Sequence, residues 1–187
     1  MEVISTEIEG VKILRPKIWS DSRGYFFESF RESEFHEKVA PVKFVQENES
    51  RSSRGVMRGL HFQKPPFAQA KLVRCVEGAV IDFAVDIRKG SPTFGKCVMA
   101  ELTAENHQQF FIPRGFAHGF AVMSDSAVFQ YKCDEYYHPE AEGGISLLAP
   151  PDGLVLPIDP ADAVMSGKDL ALPAFADFVS PFIYGNI

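Results

Sequence analysis

Residues 70–87 read Ala70-Lys71-Leu72-Val73-Arg74-Cys75-Val76-Glu77-Gly78-Ala79-Val80-Ile81-Asp82-Phe83-Ala84-Val85-Asp86-Ile87. Two short apolar-rich segments flank Glu77-Gly78, a dipeptide with turn chemistry. Their length and alternating pattern predict strands over Ala70–Val76 and Val80–Ile87. A period of two also assigns faces: Lys71 falls in phase with Val73 and Cys75, and Asp82 and Asp86 fall in phase with Ala84. Polar groups in line with apolar ones suit an interior that holds a ligand. They suit equally a strand whose core face is the other one.

The same grammar continues outward. Strands are expected at Val11–Arg15, Tyr25–Phe30, Phe44–Ser50, Val56–Gln63, Lys96–Thr103, Gln108–Ile112, His118–Met123 and Ala127–Cys133. Asp21-Ser22-Arg23-Gly24, Lys89-Gly90-Ser91-Pro92 and Ser124-Asp125-Ser126 separate them as turns. Tyr131 is in phase with Phe129 and Cys133; Gln46, Asn48 and Ser50 are in phase with Phe44. One brief helix is expected at Glu32–Val39, closed by Pro41, and another near Pro160–Val164. From about residue 139 the chain reads as irregular and proline-rich. Many short, evenly spaced strands predict an all-β sandwich or closed barrel of the jelly-roll kind, within a single domain of 187 residues.

Composition narrows the function. With 45% hydrophobic and 24% charged residues the chain is an ordinary globular one rather than a disordered one. A net charge of -6 without a basic run argues against a nucleic-acid partner. A few converging arginines could still make a local site for an anion. Cys75, Cys97 and Cys133 are odd in number and widely spaced, which fits neither a disulfide framework nor a zinc site. No apolar run reaches the ~18 residues of a membrane span. Met1 is followed by Glu2 and Glu7 rather than by a basic segment leading into an apolar one, so a cytoplasmic location is expected.

Pro113-Arg114-Gly115-Phe116-Ala117-His118-Gly119 has the form PxGxxH and resembles the second motif of the cupins, small jelly-roll barrels that often hold a metal. In those, an HxH pair and a carboxylate join this later histidine. The corresponding strand here reads Arg58-Gly59-Leu60-His61-Phe62-Gln63, with Gln63 in place of the second histidine. His61 and His118 alone fall short of the three or more ligands a transition metal takes, so no metal is expected. His36, His107 and His138 fit no ligand spacing and are expected at the surface or in local hydrogen bonds.

A longer ordered series carries a closer resemblance. Gln46-Glu47-Asn48-Glu49-Ser50, Gly55–Gln63, Lys71-Leu72-Val73-Arg74-Cys75, Val85-Asp86-Ile87-Arg88, Pro92-Thr93-Phe94-Gly95, Gly115–Phe120 and Tyr131-Lys132-Cys133 resemble the dTDP-4-dehydrorhamnose 3,5-epimerases. The likeness runs from about Ile13 to Pro173. It implies a cupin-type jelly-roll β-barrel with short peripheral helices. The implied reaction is epimerisation at C3 and C5 of dTDP-4-dehydro-6-deoxy-D-glucose by proton transfer through an enolate, with no cofactor.

The resemblance further implies His61 as base, Asp169 as its orienting carboxylate, Lys71 at the enolate oxygen and Tyr131 as acid. Arg23 and Arg58 would hold the diphosphate, a task suited to the forked guanidinium. Glu28, Gln46, Asn48, His118, Glu142 and Lys168 would contact sugar or nucleotide, and Tyr137 would stack on thymine. It implies a homodimer whose N-terminal strands cross to the partner, so that Arg23 and Glu28 serve the neighbouring site. The bland alternatives are solvated arginines, a Tyr137 that packs at a rim, and a Lys71 on an outward face. Rival functions are a single-centre epimerase or ketoisomerase on a related 4-keto sugar nucleotide, a non-catalytic sugar-binding cupin, and a metal-dependent cupin. The sequence departs from the family at Glu47, at Glu49, and at Ser146–Pro150 and Leu156-Pro157, where it lacks the usual tryptophans. These last changes are expected to alter the C-terminal wall of the site.

Overall fold

Gly78 is a corner between two sheets. Its φ of +76° places it in the left-handed region, and an added Cβ would meet Ser126 O at 2.1 Å. Glycine alone fits there. The computed structural model, which describes residues 1–186, divides the strands on either side of this corner between two antiparallel layers.

In chain order the strands are β1 (Glu2–Ser5), β2 (Lys12–Arg15), β3 (Trp19–Asp21), β4 (Gly24–Phe26), β5 (Gln46–Ser53), β6 (Met57–Gln63), β7 (Lys71–Glu77) and β8 (Ala79–Asp86). They continue as β9 (Arg88–Lys89), β10 (Cys97–Thr103), β11 (Gln109–Ile112), β12 (Phe116–Val122), β13 (Ser126–Cys133), β14 (Glu142–Gly144) and β15 (Phe182–Ile183). One sheet has the order β1-β2-β11-β7-β13-β5 and the other β10-β8-β12-β6-β14. This is the all-β jelly roll expected from the strand spacing, of the cupin type that the resemblance implies.

Between the layers lie Val73, Cys75, Val80, Ala84, Phe110, Phe120 and Phe129, all buried, with Tyr131 packed against them. The in-phase positions of β7, β8 and β13 therefore share one face, as alternation predicts, and the packing makes that face the inward one. The back of the five-stranded sheet buries Phe83, Val85 and Ile87 under the C-terminal segment, through Ile145, Leu147, Leu154 and Phe182. The back of the six-stranded sheet is covered at one end by helix α1 (Glu32–Lys38). There Phe35 packs edge-on against Phe44 and Phe111, with ring centroids 5.2 and 5.3 Å apart. Each such pair contributes about 0.5–1.5 kcal/mol beyond its buried area.

Three local expectations need correction. The strand predicted over Tyr25–Phe30 ends at Phe26, in a β3–β4 hairpin that pairs with neither main sheet and leaves Trp19, Tyr25 and Phe26 exposed. Alternating aromatics mark a strand-like stretch, but they do not say which sheet receives it. The helix predicted near Pro160–Val164 is a turn. Asp159 accepts a hydrogen bond from the Ala161 N–H at 2.9 Å, and Val164 then bridges to Val56. An Asp that binds the backbone two residues on favours a turn over a helix. The segment beyond 139 is also less irregular than its prolines suggest, because it contributes β14, β15 and a short helix α2 (Gly167–Leu170). No helix among the described residues is long and apolar enough to cross a membrane.

Candidate active site

The two layers carry different chemistry. β6, β8 and β12 of the five-stranded sheet bring His61, Asp82 and His118 together. His118 is the register partner of His61 on one side and of Ala84 on the other. The approach of β6 to β12 depends on Gly59, whose φ is +111° and whose Cβ would meet His118 O at 2.6 Å. From the six-stranded sheet, β5, β7 and β13 supply Gln46, Asn48, Lys71 and Tyr131. Tyr131 is the register partner of Val73 and Asn48, and Cys133 that of Lys71 and Gln46.

His61 Nε2 lies 2.5 Å from Asp169 Oδ1. Ionised carboxylates only accept, so this bond assigns the proton to Nε2 and leaves the lone pair on Nδ1. Asp169 is buried at the start of α2, where Ser166 is the N-cap. Ser166 Oγ accepts from the Asp169 N–H at 3.1 Å and donates to Asp169 Oδ2 at 2.9 Å. The cap thus holds one carboxylate oxygen and leaves the other for His61. Ser166 escaped the sequence reading, although Ser-x-x-Asp is the pattern of a reciprocal helix cap.

Electrostatics sort the groups by role. Burial lowers the His61 pKa and outweighs the opposing pull of Asp169, so the ring is neutral at neutral pH. Burial likewise lowers Lys71, against the attraction of Cys133, Asp82 and Glu142. Tyr131 is raised by burial, with Asn48 and Arg58 acting against that rise, so its hydroxyl keeps its proton. Lys71 Nζ stands 5.8 Å from the Tyr131 ring centroid. A neutral imidazole on one wall therefore stands across from a protonated hydroxyl and the Lys71 side chain on the other.

The second histidine has its own carboxylate: His118 Nε2 is 3.0 Å from both oxygens of fully buried Asp82. Burial raises the Asp82 pKa, offset by His118 and Lys71. Asp82 was legible as an inward polar position but not as the partner of His118. At the rim, Glu142 accepts from Tyr137 Oη at 2.7 Å and from Lys168 Nζ at 2.5 Å. Burial pushes the Glu142 carboxyl up, but these two donors together hold it below its ordinary range. Gln46 donates to Asn48 Oδ1 at 3.0 Å and accepts from the Tyr137 N–H at 3.0 Å. Arg58 is exposed and held by Ser52 Oγ at 3.0 Å.

Two expected ligands lie elsewhere in the chain. Arg23 pairs with Asp21 within the β3–β4 hairpin at 2.5 Å, and Glu28 pairs with Arg31 at 2.7 Å. Neither is bonded to the cluster around His61. The donor set does not fit a cupin metal. Each histidine engages its own carboxylate, the Gln63 amide is bonded to backbone, and among the described residues no three His, Cys, Asp or Glu side chains converge. His36 binds Val42 O, His138 binds Glu140, and His107 packs on Tyr25 and Phe27. The tryptophan-free C-terminal stretch is divided: Ser146 and Leu147 are buried, whereas Leu148 is exposed. Leu147 is buried on the back of the sheet, and Leu156 packs against the same cluster.

A jelly roll with a histidine–carboxylate dyad on one wall and lysine and tyrosine on the other is an arrangement able to move protons by acid–base chemistry, and the proteins this chain resembles make it a cupin-like isomerase. The family model described as dTDP-4-dehydrorhamnose 3,5-epimerase matches residues 5–177, and the chain belongs to that family. A dTDP-4-dehydrorhamnose 3,5-epimerase of Escherichia coli (strain K12) is 59% identical over 146 residues, 78% of this chain and 79% of the relative. The Legionella pneumophila Philadelphia 1 dTDP-6-deoxy-D-glucose-3,5-epimerase, solved with dTDP-4-keto-L-rhamnose, is 46% identical with a TM-score of 0.90. That alignment covers 95% of this chain and 94% of the other. ChmJ of Streptomyces bikiniensis, a 3'-monoepimerase solved with dTDP-quinovose, is 33% identical with a TM-score of 0.85, over 92% of this chain and 87% of the other.

Proposed function

We propose that His61, Asp169, Lys71 and Tyr131 carry out the family's reaction, inverting C3 and C5 of dTDP-4-dehydro-6-deoxy-D-glucose to give dTDP-4-dehydro-L-rhamnose. The observation that carries this reading is the placement of His61 and Tyr131 on opposite walls. C–H bonds beside the C4 carbonyl are acidic because the carbanion is an enolate. His61 Nδ1 takes the proton, Asp169 steadies the imidazolium, and the Lys71 ammonium stabilises the enolate oxygen. Tyr131 returns a proton from the other face, which inverts the centre. No step calls for a cofactor.

Gln46, Asn48, His118, Glu142 and Lys168 line the sugar and its diphosphate, Arg58 meets a phosphate, and Tyr137 stacks on thymine. The exposed hairpin with Trp19, Tyr25 and Phe26 supports a homodimer in which this arm crosses to the partner and delivers Arg23 and Glu28. One such domain forms each subunit. Three free thiols, Cys75, Cys97 and Cys133, suit the reducing cytoplasm, and burial raises them to about 11, 12 and 11.

Proton NMR of dTDP-4-dehydro-6-deoxy-D-glucose with enzyme in deuterated water tests the reading. Deuterium should enter at both C3 and C5, with the L-rhamno product accumulating. Exchange at one carbon alone would make the chain a single-centre epimerase, the activity named for its Streptomyces bikiniensis relative.

A further inference from the structure

Gln63 stands where metal-holding cupins have their second histidine, and its side chain does something else. It is 4% exposed. Its Nε2 donates to Phe67 O at 2.7 Å and to Tyr136 O at 3.0 Å, and its Oε1 accepts from the His138 N–H at 2.7 Å. Two of these bonds fall on the residues either side of Tyr137. Gln69 donates to Glu135 O at 2.8 Å and to Tyr136 O at 3.3 Å. Gln46 accepts from Tyr137 N–H, and the His138 ring stacks on Phe67 with centroids 3.7 Å apart.

The segment from Glu135 to His138 has no strand or helix of its own, yet its backbone groups are met by three glutamine side chains. An amide suits this role because it donates twice and accepts at the same time. Histidine at 63 lacks the second donor, and an ionised glutamate could not donate to either carbonyl. We propose that Gln63 and Gln69 are positioning residues that hold Tyr137 against the nucleotide, so that this corner of the barrel sets affinity for the dTDP end of the substrate. The proposal rests on the reading of Tyr137 as the residue that meets thymine.

A mutant cycle tests it, with dTDP affinity measured by titration calorimetry and turnover measured on the ketosugar. Aromatic stacking on a base is worth about 1–3 kcal/mol, so Tyr137→Ala should weaken dTDP about tenfold. Gln63→Met, of similar length, should weaken dTDP to a similar degree and raise KM, with kcat at saturation falling less than about twofold. Combined with Tyr137→Ala it should add no further loss of dTDP affinity, because it acts through that ring. Gln63→Glu should resemble Gln63→Met, since it keeps the shape and loses both donors. The half-buried Gln69→Met carries the same cycle if Gln63→Met does not fold. Normal dTDP affinity in the glutamine variants, or losses that add in the double variants, would overturn the clamp while leaving Tyr137 in place. Normal dTDP affinity in Tyr137→Ala would instead remove the reading on which the clamp stands.

Discussion

His61 Nε2 and Asp169 Oδ1 stand 2.5 Å apart although 108 positions separate them in sequence. Ser166 holds the second carboxylate oxygen, so the dyad is braced from behind as well as bonded in front. A base must be neutral to act. Burial lowers the His61 pKa from its ordinary value of about 6.5, so kcat/KM should lose activity only as pH falls below that value. Asp169→Asn removes the carboxylate that favours the imidazolium. The acid limb should then move to still lower pH, while the plateau drops about 10²-fold or more. An acid limb that stays in place in Asp169→Asn would show that another group titrates.

Lys71 sets its ammonium beside the Tyr131 ring, in phase with the buried Val73 and Cys75. Lys71→Met keeps the length and removes the charge. Steady-state kinetics should show kcat falling by about 10²–10³-fold, with dTDP affinity little changed. Thermal unfolding should show equal or greater stability, since replacing a buried charge by an apolar chain is often favourable. Near-normal turnover would exclude Lys71 from the enolate site.

Tyr131 keeps its proton because burial raises its pKa. Tyr131→Phe should still release substrate protons to His61, visible as deuterium uptake in the recovered substrate, yet form inverted product slowly. His61→Asn should stop uptake at both carbons. Inversion at the normal rate in Tyr131→Phe would assign the acid to water or to another residue.

Among the described residues Arg23 is bonded only within its own hairpin, far along the chain from the His61 strand. If that hairpin serves a partner, Arg23→Ala and His61→Ala subunits should complement each other. Mixed in equal amounts after unfolding and refolding, they should regain about a quarter of the normal activity, since half of the dimers are then mixed and each mixed dimer holds one intact site of two. Mixed dimers that form but remain inactive would return Arg23 to its own subunit.

Exhaustive chelation should leave turnover unchanged. The motive is the donor set, in which Gln63 is bonded to Phe67 and Tyr136 and both histidines face carboxylates of their own. Loss of activity on chelation, restored by one equivalent of a divalent metal, would overturn the acid–base mechanism.

Which residues share a face with Lys71, Asp82, Asn48 and Tyr131 was determined by the sequence alone, because strand side chains alternate strictly, whereas the packing of the two sheets decided that this face is the inward one. The family motifs likewise carried His61, His118 and Arg58 at their places on predicted strands. Tertiary structure decided everything that joins distant segments. It turned Gly78 into a corner that sets Lys71 opposite Asp82, gave Asp82 to His118, and braced with Ser166 the Asp169 that the family resemblance had already paired with His61. It also placed the Tyr25 and Phe26 hairpin outside both sheets, and converted the Pro160–Val164 segment from an expected helix to a turn. The physical reason is range. Alternation and turn chemistry are local properties of a few residues, whereas a catalytic pair is made where two surfaces meet, and only packing of the whole chain decides which surfaces those are.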